Sequence, residues 1–375
     1  MRSAAYLGYI PALAPKGKIM SNTVNSERWD QIADAIKSRI VILDGGMGTM
    51  LQKQKLEEAD FRGERFVDWP SPLKGNNDLL VLTKPSAVEQ VHNAFLEAGA
   101  DLIETNSFNA TSISQADYDM QDLAPEIARA SAEVARKCAD EWTAKTPDKP
   151  RAVLGSIGPM NKTLSISPKV EDPGFRDVTF DEVREAYEGQ IRAFIGLVDA
   201  LLIETVFDTL NCKAAIMAAR NIFLEVGYER PILISGTITD RSGRTLSGQT
   251  AEAFWLSISH VRPFAVGLNC ALGASDMRPH IAALSKAAST HIIAFPNAGL
   301  PNAFGEYDET PEDMTGQIAE WIDSQFVNIL GGCCGTTPAH IDSIAKRAAG
   351  GQARELPVIK PTLRLSGLEP FSITV

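Results

Sequence analysis

The feature that most constrains the fold is an alternation of strand-like and helix-like segments, repeated from about residue 40 to residue 349. Eight short, continuous apolar runs are separated by stretches of helical periodicity. Apolar runs without polar alternation are typical of parallel strands that are buried on both faces. The predicted strands are residues 40–43, 102–105, 152–157, 201–205, 232–235, 265–269, 292–295 and 327–330.

Helix start and stop signals lie between these runs. A stripe of apolar residues at helical spacing ends at Gly99, and Thr-Pro pairs at 310–311 and 337–338 are typical first residues of helices. Eight strand–helix units are the number that closes a (β/α)8 (TIM) barrel, an α/β fold formed here by a single domain. An open, doubly wound sheet is the competing architecture.

We expect the barrel to span residues 28–350. Residues 1–27 are predicted to be a disordered or loosely ordered leader, and translation could start at Met1 or at Met20. Residues 351–375 are rich in proline and are predicted to be an irregular tail or linker. About forty residues separate Gly46 from the helix predicted near Pro85, and connections of that length are usually functional or disordered.

Composition excludes several classes of partner. The net charge of −11 argues against nucleic acid or an anionic membrane as the main partner. No apolar run is long enough to cross a bilayer. The five cysteines are an odd number and include an adjacent pair, which does not fit a secreted disulfide framework and favours the cytoplasm.

Three of the cysteines follow predicted strands. Cys270 comes directly after the sixth strand, and Cys333 and Cys334 come after the eighth. The carboxyl ends of barrel strands converge on one face, so these thiols could bind one metal ion. The alternative is that they are small buried residues beside a turn. Cys138 and Cys212 have no such context and are expected to be packing residues.

The chemistry of the three thiols favours Zn²⁺. Soft sulfur ligands select zinc over hard cations, and three protein ligands leave one tetrahedral position open, which is the composition of a catalytic site. Zinc bound to three thiolates is a poor electrophile, but a thiol substrate loses its proton on binding and remains nucleophilic. The pattern therefore indicates alkyl transfer onto the sulfur of a substrate.

A second group of candidates could bind the head group of an amino acid. Asp44 ends the first strand, and backbone N–H groups at Gly45 and Gly46 could bind a carboxylate. Glu204, which ends the fourth strand, could bind an ammonium group together with Asp44. The alternative for Asp44 is an Asx cap in a turn.

Two further residues follow predicted strands. Glu104 is a weaker candidate for the ammonium group, because an Ile-Glu-Thr sequence occurs both there and at Glu204. Asn297 lies at the end of the seventh strand, between the two cysteine-bearing strands. It could approach the metal or the substrate, or it could be a structural asparagine in a turn.

Longer motifs add a family resemblance to these patterns. The segments VILDGGMGTMLQ, EAGADLIETNSFNAT, ISGTITDRSGRTLSGQT, GLNCALG, FPNAGLPNAFGEYD and NILGGCCGTTPAHI closely resemble the N-terminal homocysteine-binding module of cobalamin-dependent methionine synthases. The resemblance implies a (β/α)8 barrel and one Zn²⁺ bound by Cys270, Cys333 and Cys334. It also implies homocysteine as the fourth, thiolate ligand, with Asp44 and Glu204 holding its amino group.

The resemblance further implies that the methyl donor is methylcobalamin carried on another module or subunit, and that the product is methionine. The chain has no Asp-x-His-x-x-Gly motif for cobalamin and stops after RLSGLEPF, where a full methionine synthase would continue into its folate-binding barrel. We therefore expect a cobalamin- and folate-binding subunit or further C-terminal modules as partners. The alternatives are a self-sufficient transferase that uses betaine or S-methylmethionine, and a non-catalytic zinc- or thiol-binding subunit.

Overall fold

The computed structural model describes residues 26–239, 242–360 and 362–373. Eight parallel strands form its central sheet: β1 (Val41–Ile42), β2 (Leu102–Glu104), β3 (Ala152–Ile157), β4 (Ala200–Val206), β5 (Ile232–Gly236), β6 (Ala265–Gly273), β7 (His291–Asn297) and β8 (Ile329–Leu330). The order β1-β8-β7-β6-β5-β4-β3-β2 is completed by a parallel bridge between Leu43 and Leu102, which joins β1 to β2. The predicted (β/α)8 barrel is confirmed, with all eight predicted strands in place.

Helices surround the barrel, close its amino end and form part of the connection after β1. They are α1 (Glu27–Ala35), α2 (Met47–Lys53), α3 (Glu58–Arg62), α4 (Leu80–Thr83), α5 (Pro85–Glu97), α6 (Ser112–Gln115), α7 (Ala124–Lys145), α8 (Phe180–Phe194), α9 (Thr209–Val226), α10 (Ala251–Ile258), α11 (Ala274–Ala287), α12 (Pro311–Asp323) and α13 (Pro338–Ala348). Both predicted Thr-Pro starts are confirmed: the threonine is the N-cap and the proline is the first residue of α12 and of α13. At the start of α12 the Thr310 hydroxyl accepts a hydrogen bond from the N–H of Asp313, which satisfies one of the otherwise unpaired amides of the first turn.

The amino end of the barrel is closed by α1. Trp29, Ile32 and Ile36 recur at helical spacing and are almost fully buried against inward-facing strand residues such as Val41 and Leu102. Burial of each such side chain contributes about 1.5–3 kcal/mol to folding. The other end of the barrel is left open, and the functional groups lie there.

The ends of the chain refine the predicted domain limits. Residues 1–25 of the predicted leader lie outside the described residues, whereas Ser26 and Glu27 already belong to the start of α1, where Ser26 is the N-cap. The prediction of an irregular tail is wrong for residues 363–373, which form a hairpin of β9 (Leu363–Ser366) and β10 (Pro370–Ile373). The hairpin packs on α10, and its proline, Pro370, is the first residue of β10, a position at which proline is tolerated.

The long connection after β1 is folded rather than irregular. It contains α2, α3 and α4, and the Glu58 carboxylate binds the N–H groups of Leu73 and Lys74, which fixes the turn between α3 and α4. The connection returns to the open end of the barrel at Asn77 and Asp78. Within the described ranges, no helix has the length and apolarity that a membrane span requires.

Candidate active site

Three cysteine sulfurs meet at the carboxyl end of the barrel. The Sγ of Cys334 lies 3.7 Å from the Sγ of Cys270 and 4.0 Å from the Sγ of Cys333. All three sulfurs lie within 4.8 Å of one another. Sulfur ligands bound tetrahedrally to zinc at about 2.3 Å are about 3.8 Å apart. The donor set and its spacing therefore fit one Zn²⁺ with a fourth position to spare.

A bulge in the sheet aims Cys270 at the other two cysteines. Cys270 and Ala271 have φ values of +57° and +56°, and the register of β6 against β7 shifts just after Asn269. Thr205 on β4 has a φ of +54° at a second register shift. Left-handed backbone at residues other than glycine costs about 1–3 kcal/mol each, so the surrounding structure must hold these residues in place.

The side chain of Asn269 holds both bulges. Its Oδ1 accepts hydrogen bonds from the N–H of Thr205 (3.0 Å) and from the hydroxyl of Ser235 (2.7 Å), while its Nδ2 donates to Oγ1 of Thr205 (2.8 Å). Asn269 is fully buried. It precedes Cys270 directly, so the network that fixes the bulge also fixes the first thiol.

The turn that carries Cys333 and Cys334 is tied to the connection after β1. Thr336 donates its hydroxyl to the carbonyl of Cys333 (2.6 Å) and accepts the N–H of Gly46 (2.9 Å), and the N–H of Gly335 donates to Thr49 (2.9 Å). A Cβ on Gly46 would lie 2.5 Å from the carbonyl oxygen of Cys333, so only glycine permits this approach. The N–H of Gly46, a predicted substrate contact, is thus used within the protein.

The three thiols share their protons unequally. Hydrogen bonds from Cys270 and Cys333 lower the pKa of Cys334 to about 3. For Cys333, hydrogen bonding to Cys270 and Cys334 raises the pKa well above its ordinary value. The pKa of Cys270 is lowered by Cys333 but raised more strongly by Cys334 and by burial, to about 12. The three sulfurs therefore hold one thiolate and two thiols. A metal cation that binds all three would displace the two remaining protons.

Three acidic side chains lie close to the thiols. Asp44 and Glu204 are 2% and 4% exposed, and Glu104 is half-buried. The Oδ2 of Asp44 accepts the N–H of Glu104 (3.1 Å), and the hydroxyl of Ser156 donates to Glu204. The Oε1 of Glu104 is buried and has no hydrogen-bond partner among the described residues. This region therefore has more acceptors than the protein itself satisfies.

The environment of these carboxyl groups disfavours their charged forms. Burial, with a smaller contribution from the charge of Cys334, raises the pKa of Glu204 to about 7 against the opposing hydrogen bond from Ser156. Burial, followed by the charge of Glu204, raises the pKa of Glu104 well above its ordinary value. Burial and the charge of Glu204 also raise the pKa of Asp44 well above its ordinary value, although the hydrogen bond from the N–H of Glu104 opposes them. A cationic ligand would relieve this repulsion, so the cluster is suited to bind an ammonium group.

A cavity of about 250 Å³ connects the two groups. The three cysteines, Glu104, Glu204 and Ser156 line it, together with residues 45–49, Asn77 and Asp78. Asp44 and Asn297 do not line it. Asp44 is buried and accepts the N–H of Glu104, a lining residue, and the Oδ1 of Asn297 accepts the N–H of Cys334 (3.1 Å), so Asn297 supports the cysteine turn.

Several residues at the site had no sequence signal. Asn269 and Ser156 are ordinary residues in strand-like runs, and Asp78 lies in the long connection after β1. Tyr307 lies in the loop between β7 and α12 and packs against Gly335, the residue that follows Cys334. Only the folded chain brings these positions together. Cys138 and Cys212 lie in the hydrophobic core.

Comparison with known proteins gives a consistent assignment. A family model described as homocysteine S-methyltransferase matches residues 41–348. Two crystal structures of the homocysteine methyltransferase MmuM from Escherichia coli have the same fold. The metallated form is 20% identical, with a TM-score of 0.64 over 85% of this chain and 99% of that one. The apo form is 19% identical, with a TM-score of 0.60 over the same shares.

Proposed function

The chain belongs to the homocysteine S-methyltransferase family, and from that premise we propose that it is the homocysteine-activating module of a cobalamin-dependent methionine synthase. The observation that carries the proposal is the set of three sulfurs at tetrahedral spacing, facing a cavity that also contains buried carboxylates. A site of this composition can hold both ends of a thiol amino acid. The product would be methionine.

Cys270, Cys333 and Cys334 would hold the metal. Zinc bound there would lower the pKa of the homocysteine thiol, so that the sulfur reacts as a thiolate at neutral pH. The cysteine turn keeps its shape through Thr336 and Asn297, which bind its backbone. This preorganisation would keep the three sulfurs facing the cavity in which the substrate thiol would meet the metal.

The carboxylate cluster would hold the substrate ammonium. Glu104 and Glu204 line the cavity directly, and Asp44 adds negative charge from behind them. Gly45 and the first turn of α2 line the same cavity, and we propose that their free N–H groups receive the substrate carboxylate, since N–H groups at a helix start favour an anion. The two ends of the amino acid would then fix its sulfur near the thiols.

The identity of the methyl donor rests on the sequence motifs. A cavity of about 250 Å³ suits an amino acid and is much too small for a corrinoid. Methylcobalamin would therefore have to present its methyl group from the open mouth, on a partner module or subunit. A reducing compartment such as the cytoplasm would keep the three thiols available for the metal.

Zinc content and homocysteine methylation, measured on the same preparation, test the acceptor half of the proposal. Cys333→Ala should lose most of its bound zinc and its methyl transfer, because two thiolates hold zinc far more weakly than three. Cys212→Ala removes a buried thiol in the core and is the matched control, which should retain both properties. Methyl transfer by metal-free wild-type protein would contradict the proposal.

Comparing donors tests the other half. We expect turnover with a methylcobalamin-loaded corrinoid protein, slow turnover with free methylcobalamin, and none with betaine or S-methylmethionine. Rapid turnover with either of the last two would instead establish a self-sufficient transferase. Homocysteine binding without turnover with any of these donors would indicate a non-catalytic subunit.

A further inference from the structure

The hairpin of β9 and β10 turns its apolar side chains away from the barrel. Its register pairs Leu365 with Phe371 and Leu363 with Ile373, so these four side chains lie on one face. They are 40–58% exposed, and Leu368 at the turn is 59% exposed. These five residues are called here the hairpin face. A sheet that packs on a core normally has the opposite arrangement, with its apolar side inward.

Polar contacts hold the hairpin against the barrel without using the hairpin face. The hydroxyl of Ser366 donates to the carbonyl of Ala253 in α10 (2.6 Å), and Nε2 of Gln249 donates to the carbonyl of Gly367 (2.8 Å). The position of the hairpin is therefore fixed while its large apolar side chains remain in contact with water. Two strands alone have little stability in water, so a hairpin of this kind gains stability when its open face is covered.

The size of the hairpin face is that of the core of a protein interface. Five large apolar side chains at about half exposure present roughly 450 Å² of apolar surface. Homodimer interfaces are about 65% apolar, so a core of this size corresponds to about 700 Å² per partner, close to the ~800 Å² of a stable complex. Contiguous apolar patches of this extent on soluble proteins are often interaction sites.

The chemistry of the hairpin face favours a second copy of the chain as its partner. All five side chains are uncharged, so the face matches an identical face and has no charge pattern that requires a partner of opposite sign. The net charge of −11 would repel a second copy, but Arg278, Lys286 and Arg364 line the groove beneath the hairpin and offset that charge locally. Two such flat faces can pack as the sheets of a β-sandwich do, about 10 Å apart.

We propose that the hairpin face binds the same face of a second copy of this chain, so that the protein forms a dimer with two-fold symmetry. A two-fold axis brings the same patch of both protomers together, which is the commonest arrangement among homo-oligomers. The described residues of the hairpin do not line the cavity that contains the three thiols. Pairing through the hairpins therefore leaves both cavities open.

Sedimentation velocity of the full chain, over a wide range of protein concentration and with reductant present, tests the proposal. The wild type should sediment as a dimer at high concentration. Leu365→Ser combined with Phe371→Ser should raise the Kd of the dimer by about a hundredfold or more, because both side chains lie in the apolar centre of the interface. Leu224→Ser, at an 82%-exposed leucine of α9, is the matched control and should dimerise like the wild type.

Amide hydrogen exchange over residues 363–373 gives a second readout that needs no variant. In the wild type these amides should exchange more slowly in concentrated than in dilute solution, because association covers them. The proposal is overturned by a wild type that stays monomeric at every concentration, or by a double variant that dimerises as tightly as the wild type. It is also overturned if a monomeric wild type gains this protection only with phosphatidylglycerol vesicles or with a methylcobalamin-loaded corrinoid protein, since the face would then belong to that partner. Neither measurement depends on zinc or on methylation, so its outcome is independent of the proposed function.

Discussion

Glu204→Gln should make the metal-free protein more stable at pH 8, although it removes a predicted substrate contact. Glu204 is 4% exposed, and its pKa in the folded protein is raised by burial to about 7 from an ordinary value of 4.5. The folded protein therefore binds this proton more tightly than the unfolded chain does. The stability conferred by the protonated carboxyl is complete below pH 4.5 and is lost as the pH rises through 7.

The size of this effect follows from the pKa difference. A pKa difference of about 2.5 at about 1.4 kcal/mol per pH unit corresponds to about 3.5 kcal/mol, of which about 3 kcal/mol is lost between pH 4.5 and pH 8. Glutamine has the same shape, can still accept the hydrogen bond from Ser156, and does not titrate. The variant and the wild type should therefore have similar free energies of unfolding near pH 5 and should diverge toward pH 8, with the variant the more stable.

Urea unfolding from pH 5 to pH 8, with chelator and reductant present, measures this difference. Asp44 and Glu104 also titrate with raised pKa values, so the comparison of variant with wild type isolates the contribution of Glu204. Glu64→Gln, at an exposed position, controls for the chemistry of the substitution. Parallel pH profiles for wild type and Glu204→Gln would refute the reasoning. Homocysteine should bind the same variant at least tenfold more weakly, because a charged partner of the ammonium is lost.

Three further changes test how the site is held. Asn269→Ala leaves the N–H of Thr205 and the buried hydroxyl of Ser235 without partners, so we expect the free energy of unfolding in urea to fall by about 2–4 kcal/mol and zinc to bind more weakly in a chelator competition. An unchanged urea midpoint would contradict the role given to the bulges. Gly335→Ala should release zinc faster to the chelator, since a Cβ there strains the backbone and displaces Tyr307, and wild-type release would count against that packing. Arg354→Met should lose about 2–4 kcal/mol of stability in urea unfolding, because Arg354 is 5% exposed and its guanidinium donates to several backbone carbonyls near the end of α11. Arg354→Lys should recover little of this stability, since an ammonium group cannot donate in the several directions of a planar guanidinium.

The sequence alone determined the barrel and the meeting of three cysteines that could hold a metal. Eight apolar runs predicted eight buried parallel strands, because strands covered on both faces have few polar positions, and each run is a strand of the structure. Cys270 could be predicted to lie beside Cys333 and Cys334, more than sixty residues away, because barrel topology brings the carboxyl ends of all strands to one face. Glu204 could be singled out by the same argument.

The conformations and roles of residues that depend on distant partners could be seen only in the tertiary structure. The hairpin of β9 and β10 forms because it packs on α10, and Pro370 is tolerated because it is the first residue of an edge strand, where a missing N–H costs little. The left-handed backbone of Cys270 and Thr205 opposes local preference and persists because Asn269, sixty-four residues from Thr205, satisfies it. Tyr307 likewise has no motif of its own. Apolar periodicity and strand-end position are local properties that a sequence displays, whereas strain and its compensation exist only once the chain has folded.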